Sequence, residues 1–156
     1  MRYVQEVLRP DETIIYEASV HWAVYLPGIA CLLFGFAMFV IGVALFKDVE
    51  SDAAAFLAFT GVYLLFLSPI AFVLGYIIRR NTEVVVTDRR VISKTGWISR
   101  KTSEINRDAV ESVRVRQSIL GRGLGYGTVE IQGRGGGIAP MRRIDDPVVL
   151  RNHVYL

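Results

Sequence analysis

The sequence predicts a membrane protein in two parts. One is a two-helix transmembrane hairpin; the other is a small, mainly-β domain, a bent antiparallel sheet or partly open barrel with a C-terminal helix. Three observations predict it. Ala23 to Phe46 and Ala53 to Ile78 are runs of 24 and 26 residues without a charged side chain. Only six residues separate them. Beyond the second run, apolar and polar residues alternate with a period of two, the spacing of half-buried strands.

The composition agrees with this division. Hydrophobic residues make up 52% of the 156 residues and charged residues 21%, whereas a soluble domain carries about 25% charge, with its apolar residues dispersed. As helices rising about 1.5 Å per residue, the two runs reach roughly 36 and 39 Å, enough to cross a hydrocarbon core of about 30 Å. The first run is too long for a signal-peptide core of about 7–15 residues, and a second span follows it. The single cysteine, Cys31, lies inside the first run and has no intrachain partner for a disulfide. The expected division is a cytoplasmic segment 1–22, a hairpin 23–78 with spans 23–46 and 53–78, and a cytoplasmic domain 79–156.

Basic residues orient the hairpin. Residues 79–156 carry 15 Lys and Arg against 8 Asp and Glu, a balance of +7; residues 1–78 carry 3 against 7, or −4. The loop Lys47-Asp48-Val49-Glu50-Ser51-Asp52 is acidic, while Arg79-Arg80 follows the second span directly. Lys and Arg close to a span stay on the cytoplasmic side. Both termini are therefore expected on the cytoplasmic side of the membrane, with Trp22, Tyr25 and Tyr76 at the inner interface.

Each span repeats small residues every seven positions: Gly28, Gly35 and Gly42 in the first, Gly61, Ser68 and Gly75 in the second. Seven residues is nearly two helical turns, so each set occupies one face. Small faces let backbones approach closely in lipid. They are candidate helix-packing positions, both within the hairpin and between copies, and a homo-oligomer is expected. Pro69 is expected to kink the second helix. Neither span holds an ionisable Asp, Glu, Lys, Arg or His, the groups that mark ion and proton pathways.

The cytoplasmic part reads as strands. Thr82–Thr87 is β-branched, and Asp88-Arg89-Arg90 turns the chain. Val91–Lys94 and Trp97–Arg100 flank a hairpin at Thr95-Gly96. Val110–Arg116 and Thr128–Gln132 alternate, and Gly133–Gly137 is a turn. Asp145-Asp146-Pro147 opens a helix, Asp146 as cap and Pro147 at the first position, with Val149, Leu150 and Val154 on its apolar side. The segment Thr13–Trp22 also alternates and is expected to add a strand to the edge of the C-terminal sheet.

Leu8-Arg9-Pro10-Asp11-Glu12, His21-Trp22, Thr87-Asp88-Arg89-Arg90-Val91-Ile92, Lys94-Thr95-Gly96, Ser118-Ile119-Leu120-Gly121-Arg122, Gly125-Tyr126-Gly127-Thr128-Val129 and Ile144-Asp145-Asp146-Pro147 together resemble the membrane-anchored bacterial PH (pleckstrin-homology-like) domain proteins. The resemblance covers nearly the whole chain. It implies a bent antiparallel sheet of about seven strands with a C-terminal helix, and no known reaction or catalytic residues.

Candidate chemistry is sparse. Gly121–Gly127 lacks the helix that a phosphate-binding glycine loop must open, and reads as a flexible loop between strands. His21 and His153 lie far apart with no clustered second ligand type, so no metal set is expected. Ser118 has no partner pattern of a nucleophile. Neither an enzyme nor a cofactor is expected. The soluble part lacks a stacking platform of surface aromatics, which argues against nucleic acid. Arg79, Arg80, Arg89, Arg90, Arg100 and Lys101 are candidate contacts to anionic lipid headgroups, each such group being worth about 1 kcal/mol near the surface. The expected function is a membrane-held binding or scaffolding module. An alternative, a subunit of a transport or channel-like assembly formed on oligomerisation, is opposed by the charge-free spans.

Overall fold

Alternation ahead of the first apolar run becomes an edge strand. In the computed structural model, which describes residues 8–48, 51–96 and 101–155, β1 (Ile14–Ala18) pairs antiparallel with β2 (Glu83–Thr87), and just beyond the pair Thr13 N–H donates to Asp88 Oδ1 at 3.1 Å. The chain forms two compact units. One combines the segment ending at Ala23 with everything from Ile77 onward; the other is Val24–Tyr76.

The β unit has seven strands among the described residues, in two antiparallel sheets. The first runs β1-β2-β3-β4, with β3 at Arg90–Thr95 and β4 at Lys101–Asn106; the second runs β5-β6-β7, with β5 at Val110–Arg116, β6 at Tyr126–Gly133 and β7 at Gly136–Asp145. The N-terminal segment joins them at a corner. After pairing with β2 it bridges Val20 to Ile144, His21 N–H donates to the Arg143 carbonyl at 2.7 Å, and Asp145 N–H donates to the Ser19 carbonyl at 3.0 Å. The core between these elements is closed by Val84, Val91, Val129, Ile131, Met141 and Ile144, all at most 1% exposed. β2, flanked on both edges, buries Val84 to Thr87 without interruption.

Two helices belong to this unit besides the last turn of the long second apolar helix. A short one, Ile119–Leu124, occupies the stretch read from sequence as a flexible loop. The Ser118 hydroxyl caps it by accepting from Gly121 N–H at 3.1 Å, and Gly125, at φ 82°, ends it. The terminal helix, Pro147–Tyr155, packs against β1, β5 and β6 through Leu150 and Val154. The main-chain carbonyl of Asp146 accepts from Val149 N–H at 3.0 Å and Leu150 N–H at 3.2 Å, the first hydrogen bonds of the helix.

Three strand expectations shift. Trp97–Arg100, expected as a strand, lies outside the described residues, and β3 pairs instead with Lys101–Asn106 in the register Thr95 to Lys101. The expected turn at Gly133–Gly137 narrows to Arg134-Gly135. β7 was not expected at all: two glycines and Pro140 obscure its pattern. It is an edge strand, where proline is tolerated, and its register on β6 is irregular at two points.

In chain order the four helices are therefore α1 (Leu26–Asp48), α2 (Asp52–Asn81), α3 (Ile119–Leu124) and α4 (Pro147–Tyr155). A 3-10 turn at Trp22–Tyr25 leads into α1. The Ser51 hydroxyl caps α2 by accepting from Ala54 N–H at 3.2 Å. α2 continues through Pro69 as one helix. Both α1 and α2 are long and apolar enough to cross a membrane.

Candidate functional site

Strand directions sort the five described basic candidates into two groups. β2 starts next to the end of α2 and leads away from it, so Arg79 and Arg80 lie at one end of the first sheet and the Asp88-Arg89 turn at the other. β3 returns, pairing Lys94 with Glu83, and Lys101 sits opposite Thr95, back at the Arg79-Arg80 end. Arg100 lies outside the described residues. The five therefore do not form one patch.

Arg89 and Arg90, at the far end, face acids. Arg89 lies 3.7 Å from Asp88 and 3.9 Å from Asp11. Arg90 is 11% exposed and held tightly: Nε and Nη2 donate to the two oxygens of Glu12, each at 2.8 Å, and Nη1 donates to Glu104 at 2.7 Å. The Glu12 side chain is fully buried. It also receives the Thr87 hydroxyl at 2.7 Å and Arg9 N–H at 3.3 Å. The Arg90 hydrogen bonds lower the Glu12 pKa from 4.5 to about 2, outweighing the burial that opposes them. Glu12 in turn raises that of Arg90. Here a guanidinium turned inward fastens the N-terminal segment to the β2–β3 hairpin, so Arg90 is directed at protein carboxylates and not at lipid.

At the near end the side chains are open. Arg79 and Arg80 are exposed. They border a hollow of about 660 Å³ formed by Glu17–Val20 of the N-terminal segment and by Asn81–Val85. Glu17 and Glu83 lie on the same wall, Glu83 4.0 Å from Lys94. Lys101 is exposed as well. The buried His21 ring packs between Trp22, at 5.3 Å, and Tyr126, at 5.4 Å; its Nδ1 accepts from Ala23 N–H at 3.1 Å. These are the residues at which the chain leaves for α1 and returns from α2.

The six small residues lie between α1 and α2. Ser68 Oγ donates to the Gly28 carbonyl at 3.3 Å. A Cβ on Gly35 would come within 2.9 Å of Leu64, one on Gly61 within 2.7 Å of the Gly35 carbonyl, and one on Gly42 onto the backbone at Ala58. Gly28 faces the Phe72 ring and Gly75 the Tyr25 ring. Ala54, 1% exposed, extends the same heptad by one step; in the sequence it is one of three consecutive alanines, Ala53 to Ala55, which hides its place in the repeat. All six positions thus meet the neighbouring helix within one chain.

A family model for the bacterial PH domain matches residues 25–156, which takes in both apolar helices and β2 to β7. The chain belongs to that family. No curated protein and no solved structure matches it. Membership in the bacterial PH domain family supports a binding module. The family match begins after β1, so the strand supplied by Ile14–Ala18 and its Glu12 fastening are features read from this chain itself.

Proposed function

We propose that this bacterial PH domain protein is integral to the inner membrane, where its hairpin holds the β unit at the cytoplasmic face as a binding module for anionic headgroups. One observation carries the reading. Arg79, Arg80 and Lys101 are exposed and share the end of the β unit from which the chain enters the apolar helices, whereas Arg90 at the far end is turned inward onto Glu12. Support for the membrane comes from the outer faces of the helices. Phe34, Phe56, Phe59 and Phe66 are 68–75% exposed, an apolar surface that water does not tolerate over such a length. Two arginines and a lysine near an anionic leaflet contribute about 1 kcal/mol each, screened by salt.

The test uses the full chain in nanodiscs. Amide exchange over 79–85 should be slower in discs rich in phosphatidylglycerol than in phosphatidylcholine discs, and the difference should shrink as salt rises. Arg79→Gln with Arg80→Gln should remove it. Equal exchange in both lipids at low salt would refute the headgroup reading.

A further inference from the structure

Among the described residues of the β unit, the most exposed large apolar side chain is on α3. Ile119 is 92% exposed, Leu120 68% and Leu124 38%. This is not the looseness of a free loop. Gly121 is pressed so close that a Cβ there would come within 2.6 Å of the Tyr126 carbonyl; Gln117 Nε2 donates to that carbonyl at 3.2 Å; and Asp146 N–H donates to the Gly125 carbonyl at 3.0 Å. The helix is capped at both ends, so its apolar side chains are held outward.

Its place in the fold says what covers them. α3 runs directly into Tyr126, whose ring stacks on His21, and His21 packs on Trp22. Trp22 opens the first apolar stretch, Trp22–Phe46. Two ring contacts therefore link α3 to the point where the chain enters the hydrophobic helices. From Gln117 to Gly127 the only charged residue is Arg122, which is exposed. The segment sets apolar side chains beside this cation, with Asp145 and Asp146 against its C-terminal end; apolar side chains beside a cation match the boundary between acyl chains and anionic headgroups, where amphipathic elements sink about 5–10 Å below the surface.

We propose that α3 is a third membrane contact, an interfacial anchor that inserts Ile119 and Leu120 into the leaflet entered by α1 and α2. The inference rests on the reading of those helices as spans. It makes the β unit itself touch lipid. A face so anchored also leaves the opposite end, the β6–β7 turn at Arg134-Gly135, turned to the cytoplasm: Tyr126 to Gly133 extends about 23 Å at roughly 3.3 Å per residue.

The experiment places an environment-sensitive fluorophore on single cysteines in the full chain, with Cys31 replaced by alanine, in phosphatidylglycerol-containing liposomes. The sites are Leu120→Cys, Gly136→Cys and Phe59→Cys. Gly136 has open space around its Cβ. The Leu120 probe should shift to the blue, be quenched by a lipid spin-labelled near the headgroup, and lose quenching by aqueous iodide; the Gly136 probe should show none of these. A Phe59 probe quenched by a deep acyl-chain label reports the spans independently. If Phe59 is quenched in this way while Leu120 stays open to iodide, the anchor is overturned and the spans stand. A Leu120 probe hidden from iodide yet untouched by lipid labels overturns it too, and assigns α3 to a protein surface. Failure at Phe59 removes the spanning reading itself, and the anchor with it.

Discussion

Glu12 and Arg90, 78 residues apart, close on each other through two parallel hydrogen bonds of 2.8 Å. Both apolar helices lie between them in the chain. The β unit is therefore completed only when both sides of the hairpin have been made.

That pair gives the unit an acid-sensitive lock. The Glu12 pKa is depressed from 4.5 to about 2. A group lowered on folding stabilises fully above its unfolded pKa and loses that contribution as pH falls through the folded one. The window is therefore about 4.5 down to 2, and the amount is at most about 3 kcal/mol at roughly 1.4 kcal/mol per unit. In a non-ionic detergent, the melting temperature of the full chain should fall across this window. Glu12→Gln should be less stable at neutral pH by about 3 kcal/mol, since it strips one partner from a nearly buried arginine. The variant should also lose the Glu12 share of the acid dependence. A parent and variant with parallel profiles would assign the acid sensitivity to other carboxylates.

A second prediction concerns what can fold without the apolar helices. A fragment 79–156 lacks β1 and Glu12, leaving β2 with a bare edge and Arg90 without its principal carboxylate. Joining residues 1–22 to 79–156 through a short Gly/Ser linker restores both. Circular dichroism should show a cooperative melt for the joined chain, and a lower midpoint or aggregation for the fragment, as expected of an exposed strand edge. Equal midpoints would show that β1 is dispensable.

Patterns that depend on neighbouring residues were legible in the sequence. The two apolar runs, the alternation through Val113 and Val115, and the edge strand ahead of Trp22 all follow from local period, and the structure has helices or strands there. The small-residue heptads pointed to the helix faces, but not to the neighbour they meet. β7 was hidden because Gly136, Gly137 and Pro140 resemble a loop when read locally, and only pairing with β6 makes them a strand. The inward turn of Arg90 was equally invisible. Arg89 and Arg90 look alike in sequence, and what separates them is Glu12, which long-range folding brings to one and not the other.

The heptad faces lead to a third prediction. Gly35 and Gly61 meet each other's backbone across the hairpin, so Gly61→Leu should force α1 and α2 apart and cost about 2 kcal/mol or more through overpacking. Protease sensitivity of the 47–52 loop should rise and thermal stability in mild detergent should fall. The mass of the detergent complex should not change, because these positions serve one chain. A variant that keeps its stability but drops in mass would place Gly61 between copies instead.

The last prediction is the topology on which the lipid contacts depend. Asp52 is exposed at the start of α2, whereas Ser51 beside it caps the helix. A label attached at Asp52→Cys therefore disturbs the fold less than one at Ser51. With Cys31→Ala as background, a membrane-impermeant maleimide should label Asp52→Cys in spheroplasts, where the outer surface of the inner membrane is open. Gly136→Cys, at the far end of the β unit, should label only after lysis. This follows from Arg79 and Arg80 at the end of the second apolar run and three acids in the loop. The reverse pattern would turn the hairpin over and put Arg79, Arg80 and α3 against the outer leaflet, ending the proposal that they read the anionic inner surface.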